Sequence, residues 1–71
     1  MQDSLGHRTF TSGPELREER EAAELTQVAI AEAMGVSRST VALGEGRAKV
    51  RPSFARRYRE AVVVLTSEQV A

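Results

Sequence analysis

The sequence predicts an all-α domain built as a bundle of four to five short helices. Three observations lead there. Apolar residues recur at three- and four-residue steps, most clearly Phe54, Tyr58, Ala61, Val62 and Leu65, which share one helical face. Ser12, Thr26 and Ser37 each stand where a helix cap is needed, just ahead of a helical run. Strand signals are absent apart from the valine run 62–64. A chain of 71 residues makes one small core, burying about 60% of its unfolded surface.

Each element follows from its own residues. Residues 1–11 are polar apart from Leu5 and Phe10 and are expected to form a flexible leader, so the domain is placed at 12–71. Ser12-Gly13-Pro14-Glu15 fits a capping box with proline in the first turn, opening a first helix over residues 13–23. Its apolar side, Leu16, Ala22 and Ala23, is thin, and arginine stems extend it. Thr26 caps a second helix, 27–34, with Ile30, Ala31 and Met34 as its stripe. Gly35 ends that helix, Val36 turns back to the core, and Ser37 caps a third helix, 38–45. Residues 46–51 form a basic connector. Pro52 and Ser53 open a fourth helix, expected over 53–65, and Thr66 or Ser67 is expected to cap a separate last turn through Val70, because three β-branched valines weaken the helix before it.

Composition excludes several classes. There is no cysteine, hence no disulfide and no Cys-based zinc site. The single histidine, His7, lies in the polar leader, so no metal is expected and no cofactor is called for. No Gly-rich phosphate loop is present and no carboxylate pair is set in an obvious pocket, so an enzyme is not expected. The longest apolar run, residues 61–65, is far short of a membrane span, and no signal-peptide h-region is visible; the expectation is a soluble, cytoplasmic protein.

Formal net charge is zero, yet the charges are segregated. Residues 1–35 carry seven acidic against three basic side chains, a balance of −4. Residues 36–60 carry seven basic against two acidic, a balance of +5, and Glu68 supplies the remainder. A polyanion responds to the local face rather than to the sum, so the basic half can bind phosphate while the acidic half faces away. Two helices around a tight turn, the second starting with short polar residues, can present that second helix to a DNA major groove.

The motifs of residues 26–45 resemble the helix-turn-helix of phage Cro and repressor proteins, the xenobiotic-response-element (Cro/C1-type) class of bacterial regulators. The resemblance rests on Leu25-Thr26-Gln27, Gly35-Val36-Ser37, Glu45 and Lys49-Val50-Arg51-Pro52, in order and at consistent spacing, and it covers about residues 14–65. It implies a repressor-like fold in which the second and third helices form the motif. It also implies a sequence-specific, double-stranded DNA-binding transcriptional regulator of phage or bacterial origin, acting as a homodimer at least on DNA. Arg38, Ser39, Ala42 and Leu43 fall at the base-contacting positions, and an arginine there can grip guanine with two hydrogen bonds. Gln27, Ser37, Thr40, Arg47, Lys49 and Arg51 fall where phosphates are held. Arg20 and Glu45 match an ion pair that ties the first helix to the end of the third. Of Arg56, Arg57 and Arg59, at most one is expected to meet DNA. Val62, Val63, Leu65 and Val70 are the candidate dimer contact, or alternatively they close the core.

The chain departs from the family pattern at three positions. Gly44 replaces a large apolar residue that plugs the core, which leaves Leu43 to serve both packing and recognition. Gly46 comes one residue early, and Glu24 stands in the first interhelical turn where glycine is usual. A second functional reading is a protein-interaction module of antitoxin or co-regulator type, using the acidic Glu18, Glu19, Glu21 face of the first helix.

Overall fold

A computed structural model describes residues 10–70, with the side chains of residues 69 and 70 excepted. The expected leader therefore lies, for residues 1–9, outside the described residues, as does the Val70 side chain. Four helices follow one another: α1 (Gly13–Ala22), α2 (Gln27–Met34), α3 (Arg38–Glu45) and α4 (Pro52–Val70). Among the described residues no strand forms; an isolated antiparallel bridge joins Thr11 to Val50.

The caps are local hydrogen bonds. Ser12 Oγ accepts from the Glu15 N–H at 3.2 Å while the Ser12 N–H donates to Glu15 Oε1 at 2.8 Å, a reciprocal box that uses two otherwise orphan donors. Thr26 Oγ1 accepts from the Ala29 N–H at 3.0 Å and Ser37 Oγ from the Thr40 N–H at 3.1 Å. Gly35 takes a left-handed conformation, φ 75°, and the Val36 N–H returns to the Ala31 carbonyl at 3.0 Å. That reversal sets α3 against α2 after three residues.

Two expectations about the last helix need correcting. It is one unbroken helix of 19 residues, starting at Pro52, with no fresh cap at Thr66 or Ser67. The penalty for β-branched residues in a helix is small, about 0.5 kcal/mol each. Val62 and Leu65 pack against the core, and that burial outweighs it.

The core gathers Leu16, Leu25, Ile30, Ala31, Met34, Val41, Val50, Ala55, Tyr58 and Ala61, one or more from every helix. Tyr58, Leu16, Ile30 and Val41 are fully enclosed. The first helix meets the third end-on. A Cβ on Gly13 would collide with the carbonyl groups of Gly44 and Glu45, so this approach requires glycine. The Gly13 N–H donates to the Arg47 carbonyl at 2.7 Å, closing the contact.

Gly44 finds a different plug from the one expected. Leu43 does not turn inward; it is 67% exposed. The ring of Phe54, from the first turn of α4, lies over Gly44, where any Cβ would strike it. Phe54 then leans on Tyr58, ring centroids 6.0 Å apart. The missing side chain on α3 is replaced by an aromatic one from α4.

Candidate nucleic-acid interface

The geometry of α3 is set by a buried charge cluster at its C-terminal end. Arg20 Nε donates to Glu45 Oε2 at 2.8 Å and Nη2 to Oε1 at 3.1 Å, a two-pronged pair between α1 and α3. The Arg20 Nη1 also donates to the Leu25 carbonyl at 2.9 Å. The Tyr58 hydroxyl donates to Glu45 Oε2 at 2.5 Å, and Gln27 Nε2 donates to Oε1 at 3.0 Å. One carboxylate thus receives donors from α1, α2 and α4. Burial works against ionising Glu45, but the bonds from Arg20, Tyr58 and Gln27 together outweigh it and hold the carboxyl below its ordinary range. The Glu45 bond raises the affinity of Arg20 for its proton. Burial first, and then the bond to the Glu45 carboxylate, push the Tyr58 phenol well above its ordinary value.

From that anchor α3 runs outward with two faces. Val41, Gly44 and Glu45 are buried. Arg38, Ser39, Thr40 and Leu43 are exposed, and Ala42 is half-buried beside them. Arg38 and Ala42, and Ser39 and Leu43, stand four residues apart and so share the outer face. Ser37 and Thr40 hydroxyls lie 3.0 Å apart at the helix start. Arg47, Lys49 and Arg51 are exposed along the connector beyond α3.

Residues 16–42, from Leu16 on α1 to Ala42 on α3, match a protein-family model described as Helix-turn-helix. Over these residues the chain is similar to the Cro/C1-type helix-turn-helix family. That family is one of DNA-binding regulators. No curated protein and no solved structure gives a significant match. No helix among the described residues is long and apolar enough to cross a membrane.

Within this helix-turn-helix, Gln27 is half-buried and works inside the chain. Its Nε2 serves Glu45 and its Oε1 accepts from Arg38 Nη1 at 3.0 Å. What it can still offer a phosphate is the second amide hydrogen and the unpaired N–H groups of the first turn of α2. The three arginines of α4 divide sharply. Arg59 grips Glu19 on α1 through Nε and Nη2, at 3.0 and 2.8 Å, and reaches Thr11 Oγ1 at 3.4 Å. The Glu19 bond raises the proton affinity of its guanidinium. Arg57 Nη2 donates to the Met34 carbonyl at 2.7 Å, capping the C-terminal end of α2. Arg56 is exposed.

Of the candidate dimer residues, Val62 and Leu65 are half-buried against the core and Val63 stays exposed, with Val64 beside it. Glu19 is held by Arg59, and Glu21 pairs with Arg17 at 2.9 Å, which leaves Glu18 as the outward carboxylate of the acidic α1 face.

The roles of four contributors escape a reading of the sequence alone. Tyr58 has a faint signal: a tyrosine on an apolar helical face, once buried, needs a partner for its hydroxyl. Phe54 shares that face but shows no sign of serving Gly44. Phe10 stands out only as an apolar residue in a polar leader and Thr11 carries no signal, yet the Val50 N–H donates to the Thr11 carbonyl at 2.9 Å and Lys49 Nζ sits 5.4 Å from the centre of the Phe10 ring.

Proposed function

We propose that the chain is a sequence-specific, double-stranded DNA-binding transcriptional regulator of Cro-like or repressor-like type, with α3 seated in the major groove. The observation that carries this reading is the division of α3: its inner face is fixed through Glu45 to three other helices, while Arg38, Ser39, Ala42 and Leu43 are left to the outside. In this reading those four residues meet base edges, Arg38 gripping guanine and Leu43 a thymine methyl. Gln27, Ser37, Thr40, Arg47, Lys49 and Arg51 hold the sugar-phosphate backbone and carry no sequence information. The DNA-binding domain is 12–71, and its setting is the cytoplasm of a bacterium, with a phage or bacterial gene as its source.

The same reading makes the working unit a homodimer, at least on DNA, with two α3 helices about 34 Å apart on one face of the duplex. The exposed Val63 and Val64 edge of α4, flanked by Val62 and Leu65, is the surface that supports it. The alternative, a protein-binding module using the acidic α1 face, has less support, because two of its three carboxylates are already engaged by arginines of the same chain.

Selection of bound sites from random duplex DNA tests the reading. It is expected to return a short motif repeated with inverted symmetry at about one helical turn. Affinity for the selected site is expected to fall steeply between low and physiological salt, with a slope set by the number of phosphates held. A flat salt response, or no enriched motif, overturns it.

A further inference from the structure

Beside α3 the surface opens into a notch of about 270 Å³. Its walls are the side chains of Leu43, Val50 and Phe54, and its rim carries Arg47, Lys49 and Arg51. Among the described residues no carboxylate lines it. The floor exists because Gly44 has no side chain and the Phe54 ring lies across it. The loop that forms the far wall is held in place from both sides. The Val50 N–H bonds to the Thr11 carbonyl at 2.9 Å, the Arg47 carbonyl accepts from the Gly13 N–H at 2.7 Å, and Lys49 Nζ rests over the Phe10 ring. Apolar walls under a ring of cations are therefore a built feature of the fold rather than a chance posture of a loop.

We propose that this notch binds a small apolar organic anion, an arene or short aliphatic chain bearing one carboxylate, and that such a ligand competes there with DNA. The chemistry of the lining selects the class. Leu43, Val50 and Phe54 reward an apolar body, which an inorganic phosphate lacks. Three cations, with no carboxylate among the described lining residues, reward one negative charge and reject a cation. At about 270 Å³ the notch lies just under the common range of ligand pockets, about 300 to 1,000 Å³, so it suits a small body of roughly ten to fifteen non-hydrogen atoms. The competition rests on the DNA reading above, in which Leu43 and the three cations face the duplex; the binding itself does not.

The test uses 2-naphthoate as the probe and the uncharged 2-naphthalenemethanol as its twin in shape. Each is titrated into the isotope-labelled full chain while backbone amide signals are followed. Naphthoate is expected to shift the amides of Leu43, Val50 and their neighbours saturably, with the alcohol about tenfold weaker or worse, since the charged rim is what separates them. Lys49→Ala is expected to weaken naphthoate several-fold. Leu43→Asp, at an exposed position that folding tolerates, is expected to abolish it. Displacement of a labelled random duplex by naphthoate, followed by fluorescence anisotropy, completes the case. The proposal is overturned if no amide shifts saturably, if the alcohol binds as well as the acid, or if the shifts centre on the α2–α4 side. Naphthoate bound at the notch by a chain that binds no duplex sinks the DNA reading and leaves the site standing. Salt-dependent DNA binding with no naphthoate response does the reverse.

Discussion

Arg38 on α3 is bonded to Gln27 on α2, Nη1 to Oε1 at 3.0 Å. The direction of that bond is dictated from behind. The Glu45 carboxylate is an acceptor, so the Gln27 amide must turn its NH₂ toward Glu45 and its oxygen toward Arg38. Through Gln27, which lies 18 residues from Glu45 in sequence, a buried charge thereby orients the side chain at the tip of α3.

The first prediction separates reading from holding. Arg38→Ala is expected to lose about 1–3 kcal/mol of discrimination between a selected site and random duplex. Lys49→Ala is expected to weaken both complexes alike and to lower the salt slope by about one unit. Anisotropy titrations on the two DNAs at several salt concentrations decide it. Equal effects from both substitutions refute the assigned roles.

Breaking the ion pair on one side leaves a buried charge without its partner. Arg20→Ala is expected to destabilise the domain by about 3–5 kcal/mol, whereas replacing Arg20 by Met and Glu45 by Leu together should cost far less. Urea unfolding of the three chains measures the difference. If the double variant is as unstable as the single one, the loss comes from packing or from the buried Tyr58 hydroxyl left without its acceptor, and not from the stranded carboxylate.

The same carboxylate predicts an acid limit. Its folded proton affinity lies below the ordinary value of 4.5, so the folded chain holds fewer protons than the unfolded one as that value is approached. The stability it contributes is complete above about pH 4.5 and is lost as pH falls through the folded value. The melting temperature of the natural chain should therefore drop in that window more steeply than that of Glu45→Gln. Parallel slopes for the two chains would contradict the sign.

Phe54 and Gly44 form a complementary pair, and each should reveal the other. Gly44→Ala puts a methyl group into the Phe54 ring, so in place of the gain of about 1 kcal/mol that alanine brings to an ordinary helix, a net loss is expected. Phe54→Val should recover part of that loss in the Gly44→Ala background while destabilising the natural chain. A double-mutant cycle by denaturant unfolding reads the coupling.

Glu24 closes the α1–α2 turn at φ 60°, a left-handed conformation that a side chain disfavours. Its side chain is exposed. Glu24→Gly is expected to stabilise the domain by about 0.5–1 kcal/mol, the relief of strain exceeding the entropy of the freer unfolded chain. A shift of the urea midpoint to lower concentration would contradict it.

What was legible in the residues was whatever depends on near neighbours. Ser12, Thr26 and Ser37 cap through bonds that span three residues, and Gly35 turns the chain within one, so these announce the helices and the turn between α2 and α3. The helical spacing of Phe54, Tyr58, Ala61, Val62 and Leu65 announced a buried face on α4. The end of α4 was misjudged because β-branching is a weak local penalty that tertiary burial of Val62 and Leu65 overrides.

The sequence by itself determined an all-α chain with a helix-turn-helix, because helix caps, turn glycines and apolar periodicity act over one or two turns of backbone. Tertiary structure alone decided the partners of the longer side chains. Phe54 rather than Leu43 covers Gly44, Arg59 goes to Glu19 and Arg57 to the Met34 carbonyl, and Gln27 stands between Glu45 and Arg38. These contacts join groups 10 to 40 residues apart, and which of several chemically equal partners is reached depends on the angles and offsets at which the helices dock. That docking is set by the whole core at once, so no short stretch of sequence carries it.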